Sequence, residues 1–384
     1  MRKFRYWGWF LVLLIWACSS DGADDQAPID DDVNMTDDDV PVTFDRSAML
    51  TNWADNIILP SYDSFVNELS NFQSVFESFK ADASESNLIQ LRQAWLSTYL
   101  SWQKVSMFEI GPAESIGLRL NINTYPSDTA LIEQFVAAGS YDLSLPSNRD
   151  AKGFPALDYL INGLAETDAE IVSFFGTETG KEGYLSYFED VLEDMIGLTG
   201  QVANEWESGY RDTFVANDGS SSTASVDRFV NDFIFYYEKF LRAGKMGIPL
   251  GVFTGSIAPN TLEAYYKEDV SNELFLAGLD AVQDFFNGKH FDENATGESL
   301  ASYLQDLNTL KNGEELDALI NQQFDLARDR VSGLNPFKAE IENNNPPTDM
   351  LMAYDEVQRA VPLLKVDMVS AMSISIDFVD ADGD

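Results

Sequence analysis

Only a few residues in this chain are spaced so as to suggest chemistry, and the densest group is Lys152–Gly163, an apolar helical start with one acid inside it. Pro155 fits a first helical turn, where its missing N–H costs nothing. Phe154, Leu157, Leu160 and Ile161 then form one apolar face, with Asp158 one position away. Such an acid is either a partner for the helix dipole or a desolvated site carboxylate. Glu109 poses the same choice. Leu88, Leu91, Trp95, Tyr99, Trp102 and Val105 recur at spacings of three and four through Asn87–Ile110, and Glu109 continues their stripe before Gly111 and Pro112 break the helix. Lys245 follows an aromatic-rich helix ending in Gly244–Pro249, where it can face an anion or the helix C-terminus.

Other constellations fall short of a site. His290 is the only histidine, in a break with Lys289, Asp292 and Glu293. Without a second His or Cys the pattern does not make a zinc site, and the His-Glu-x-x-His spacing of zinc peptidases is absent. No nucleophile context surrounds His290, and the single cysteine, Cys18, is committed elsewhere. The terminal acids Asp377, Asp380, Asp382 and Asp384 miss a calcium loop, because Gly383 comes too early and the chain stops. The net charge of −40, with nothing basic clustered, excludes nucleic acid as a partner and attracts cations only diffusely.

The start of the chain reads as an export signal. Arg2, Lys3 and Arg5 precede the apolar run Trp7–Trp16, which is too short to span a bilayer, and Ile15-Trp16-Ala17-Cys18 is a lipobox. Residues 1–17 are therefore expected to be removed and Cys18 acylated, giving a lipid-tethered protein without a membrane-spanning helix. The Asp-rich stretch that follows, residues 18–45, is a solvated spacer. It also has the character of a surface-export signal, and the two roles are compatible.

Helical periodicity dominates the rest. Asp128 is placed to cap a helix running to about Ala138, Gly183–Glu207 carries a one-sided apolar pattern, and Asn217–Thr223 is a Gly/Ser loop separating two halves, 46–216 and 224–384. In the second half Val226–Leu241 is crowded with aromatic residues, and helices are expected at Glu273–Phe286, Gly297–Asn312, Glu314–Leu334 and Asp349–Val361. The tail from Asp367 alternates apolar and polar residues, an irregular or strand-like pattern. The expectation is an all-α protein of two packed helical bundles, consistent with an internal duplication.

The Gly153 stretch resembles the Gly-x-His-x-x-Glu signature of the imelysin family (peptidase M75-like, iron-regulated envelope proteins), with Pro155 in the His position and Asp158 in the Glu position. Leu120–Glu133, Gly244–Gly251, Leu262–Gly288 and Ser370–Asp384 resemble imelysin segments in the family's order, and Ser106 stands where the family carries an acid before Phe108. The resemblance implies an outer-membrane lipoprotein, periplasmic or surface-exposed, with a binding or accessory role beside iron- or haem-uptake proteins. The degenerate motif points away from peptidase activity. A residual metal-dependent hydrolase and a structural or adhesion protein are the alternatives. The resemblance further places Gly153, Pro155 and Asp158 in a cleft between the halves, with Glu109, Tyr125, Asp128 and Lys245 as neighbours. With no histidine there, the implied metal is at most a weakly bound, oxygen-ligated divalent cation.

Overall fold

Phe65, Leu69, Phe72, Phe76 and Phe79, spaced four, three, four and three residues apart, make one buried stripe on the helix Leu59–Ala81 (α1). This helix is absent from the sequence reading, although its stripe is as regular as those that were read. In the computed structural model the described residues are 44–377 except Glu293. The expected signal peptide, acylated Cys18, nearly all of the acidic spacer and the last acids of the tail lie outside them. Asp45, the last residue of that spacer, caps the short helix Arg46–Thr51 by accepting from the Ala48 N–H at 2.8 Å.

The architecture is all-α. Six further long helices are Glu85–Gln103 (α2), Lys181–Glu205 (α3), Ser225–Phe235 (α4), Ser271–Phe286 (α5), Leu316–Ser332 (α6) and Thr348–Pro362 (α7). Helix α1 packs on α2 and α3, α6 packs on α5 and α7, and α2 lies against α5. One continuous core therefore takes side chains from both halves of the chain. At its centre the rings of Trp53, Phe108, Phe229 and Phe285 meet with centroids 4.7–5.9 Å apart. Each such ring contributes about 1.5–3 kcal/mol by leaving water.

Three local expectations change. Helix α2 stops at Gln103 instead of running to Ile110. The segment Lys104–Met107 turns, Pro112 becomes the first residue of the short helix Pro112–Ile116, and Glu109 sits in the connection, off any helical stripe. The helix expected over Gly297–Asn312 is only Leu300–Asp306, because Asn312 and Gly313 form a two-residue turn with φ of +57° and +89° between antiparallel strands Leu310–Lys311 and Glu314–Glu315. Positive φ at both central positions is what an Asn-Gly hairpin turn requires, and that signal stood in the sequence. The tail remains helical through Val369–Ala371 and then runs irregularly, with Met372 and Ile374 buried.

Candidate functional site

Gly153 opens the short helix Gly153–Asp158 with φ of +70°, and a Cβ there would lie 2.1 Å from the carbonyl oxygen of Ile122. Only glycine can make this approach. The Phe154 ring stacks on Tyr99 at 4.1 Å, the Phe154 carbonyl accepts from Trp95 Nε1 at 3.3 Å, and Pro155 is buried behind them. Asp158 is the last residue of this helix and 1% exposed. Its Oδ1 accepts from Asn162 Nδ2 and its Oδ2 from the Tyr266 N–H, each at 2.9 Å. Burial pushes its carboxyl up to about 7, against the pull of these bonds and of the Lys267 N–H.

Next to the motif, Tyr99 starts a chain of polar contacts. Its hydroxyl donates to Asn123 Oδ1, and Asn123 Nδ2 donates to Glu263 Oε1 at 2.8 Å. Lys245 Nζ donates to the other Glu263 oxygen and, at 2.9 Å, to Gln103 Oε1, whose own amide donates back to Glu263 at 3.2 Å. Lys245 and Glu263 are only 4% and 1% exposed, so the pair is withdrawn from water. Burial lowers the Lys245 pKa while the Glu263 carboxylate raises it. Tyr125 stands beside this group. Burial and the Glu263 charge hold its hydroxyl well above the ordinary value.

Glu109 belongs to a neighbouring group. Its N–H donates to Asp232 Oδ2 at 3.0 Å and its Oε2 accepts from the Arg119 N–H at 2.8 Å. The Arg119 guanidinium grips Asp232 at 3.0–3.2 Å, lies 4.7 Å from the Phe240 ring centre and donates through Nε to the Ser106 carbonyl. These residues line a cavity of about 290 Å³ that is shared with Glu114, Leu120, Arg228 and Phe235. Burial raises the Glu109 carboxyl to about 7, and Arg119 opposes the rise. Ser106, at the position where the family carries an acid, donates its hydroxyl to Tyr236 Oη at 2.8 Å and to the Gln103 carbonyl at 3.3 Å, while its own carbonyl accepts from Arg119.

Of the residues expected in one cleft, the structure gathers Asp158, Tyr125 and Lys245 around the Tyr99–Glu263 network and places Glu109 in the adjoining cavity. Asp128 is exposed. It caps the helix Thr129–Ala138 by accepting from the Leu131 N–H at 3.0 Å. Lys245 is not a partner for the helix C-terminus, because its charge is taken up by Glu263. Among the described residues, no group of three or more His, Cys, Asp or Glu side chains is arranged to hold a metal ion. Arg119, Asp232, Gln103 and Glu263 were not singled out in the sequence, whereas Asn123 opens the Asn123–Asp128 turn expected beside the cleft. Asp232 did carry a signal, since it lies three residues after Phe229 and four before Tyr236, on the face that α4 buries.

A family model described as imelysin matches residues 58–361. The iron-regulated protein A of Synechococcus elongatus is 24% identical over 144 residues, which is 35% of this chain and 39% of that protein. The match thus spans about two fifths of that relative's length. A solved structure described as an iron-regulated protein A precursor, from Parabacteroides distasonis, superposes with a TM-score of 0.67 at 17% identity, covering 84% of this chain and 95% of the other. An imelysin-like protein from Psychrobacter arcticum does so with a TM-score of 0.67 at 16% identity, over 87% and 97% of the two chains. At these identities the structures establish the common fold.

Proposed function

Since the chain belongs to the imelysin family, we propose that it is an envelope lipoprotein serving iron or haem acquisition as a non-catalytic binding or accessory component. The observation that carries the non-catalytic reading is the state of Asp158. Both of its oxygens are held by internal donors and 1% of the residue is exposed. A general base, or a carboxylate that holds a catalytic metal, must reach the substrate or an open coordination position. Asp158 instead ties the motif helix to the Tyr266 backbone. With Pro155 in the His position, the motif works as a structural joint between segments distant in sequence. The iron connection draws on the relative named an iron-regulated protein, and the envelope connection on the lipobox at Cys18.

Titration with iron, zinc and calcium, alongside a peptide-cleavage assay, tests this reading. The expected result is no chelator-sensitive cleavage and no tight stoichiometric binding. Chelator-sensitive cleavage that disappears in Asp158→Ala would reinstate the hydrolase, and tight zinc or iron binding lost in that variant would show that the metal site survived. The anchor is tested separately. Cys18→Ala is expected to move the protein from the membrane fraction to the soluble one, because acyl chains are the membrane-binding element read from the sequence. A variant that stays membrane-bound and unacylated would refute that reading of residues 1–18.

A further inference from the structure

Within the described residues the longest run without Asp, Glu, Lys, Arg or His is Met246–Leu262, seventeen residues in a chain of net charge −40. Here the chain leaves its helical path at Gly247 and forms a loop on which Ile248, Val252, Phe253 and Ile257 are 45, 41, 43 and 44% exposed. Single exposed apolar residues are ordinary, but four within ten residues of one closed loop form a patch. The loop is held by its own backbone. Val252 donates to the Gly247 carbonyl at 3.0 Å, Gly255 to Gly251 at 2.7 Å and Ala258 to Pro249 at 2.8 Å. Gly251 has φ of +71°, and a Cβ there would lie 2.2 Å from the Ser256 carbonyl oxygen, so the two arms touch. The Phe253 ring edge packs over Gly247 on the inner side. The patch is thus shaped before it meets anything.

We propose that this loop is a membrane-contact surface that lays Ile248, Val252, Phe253 and Ile257 into the interface of a zwitterionic lipid bilayer. The proposal rests on the lipoprotein reading above. With Cys18 acylated, the twenty-five residues Ser19–Thr43 extend to about 90 Å at most, so Phe44 stays within that distance of the bilayer. Tethering of this kind gives an effective concentration of roughly millimolar order, at which a small apolar contact is sufficient. Charge selects the lipid. The loop brings no ionisable group that must be desolvated, it has no cation to meet anionic headgroups, and the acidic body is repelled by them.

The single cysteine allows the contact to be tested whether or not the native protein is acylated. The mature chain is coupled through the Cys18 thiol to a maleimide lipid in phosphatidylcholine and phosphatidylethanolamine vesicles, part of whose acyl chains are brominated. Phe253→Trp is expected to add tryptophan quenching beyond that of the parent, at least threefold more than Val366→Trp, a position 60% exposed on Leu363–Met368. Adding Ile248→Ser and Ile257→Ser should abolish the excess, and phosphatidylglycerol should reduce it. Equal quenching at the two positions, or none at either, would overturn the proposal. So would a concentration-dependent dimer, in the absence of vesicles, that Phe253→Ser dissolves, since the loop would then belong to a second copy. Because coupling replaces acylation, failure here leaves the Cys18→Ala fractionation to decide the anchor by itself.

Discussion

Lys245→Met is expected to destabilise the fold by about 3–5 kcal/mol, because it leaves Glu263 buried without its cation. Three groups direct hydrogens at the Glu263 carboxylate. Gln103, Asn123 and Lys245 all donate to Glu263, and nothing donates to Lys245 in return. Without the ammonium, Gln103 and Asn123 are left as the donors to a buried carboxyl group, and Gln103 Oε1 loses its own donor. Lys245→Met combined with Glu263→Leu should recover much of the stability, since a buried pair and an apolar pair of similar volume differ little. Urea unfolding of the two single variants and the double variant supplies the cycle. A single-variant cost below about 1 kcal/mol would mean that water reaches the pair and that the network is not the closed one described.

Between pH 4.5 and 8, Asp158→Asn should change its stability relative to the parent by about 2–4 kcal/mol. In the folded protein the Asp158 carboxyl is raised from 3.8 to about 7, which at about 1.4 kcal/mol per pH unit is worth roughly 4 kcal/mol. Below pH 4 the folded and unfolded chains both hold this proton. As the pH climbs to 7 the unfolded chain releases the proton and the folded chain keeps it, so stability falls, and above 7 the fall levels off. The stabilising contribution is thus complete on the acid side and lost through neutrality. Glu109, also raised to about 7 and faced by Arg119, Asp232 and Glu114, adds a smaller loss of the same sign. Asparagine does not titrate, so the variant should be the less stable of the two at pH 4.5 and should close the gap by pH 8. Parallel stability curves for parent and variant would show that Asp158 is hydrated in solution.

The sequence by itself determined the helices whose apolar residues recur every three to four positions, together with their caps. Ser84 and Asp128 each start a helix by accepting from the backbone N–H three positions on, and such local rules need no distant partner. It determined as well that zinc chemistry lacks its ligands. The helix α1 and the Asn312-Gly313 hairpin are equally legible from local pattern. That Gly153 must be glycine was decided instead by tertiary structure, which brings the Ile122 carbonyl oxygen to 2.1 Å from where a Cβ would stand. Tertiary structure alone decided which charges meet. Glu263 lies 18 residues beyond Lys245 but 160 and 140 from Gln103 and Asn123, and Asp232 lies 113 residues from the arginine it holds. Periodicity reports which face of a segment is apolar, but the pairing of buried charges depends on which ends of distant helices the shared core brings together. For the same reason Glu109 could not be placed from its stripe. Once α2 ended at Gln103, its position was set by the Asp232 carboxylate and the Arg119 backbone, contacts that only the packed halves supply.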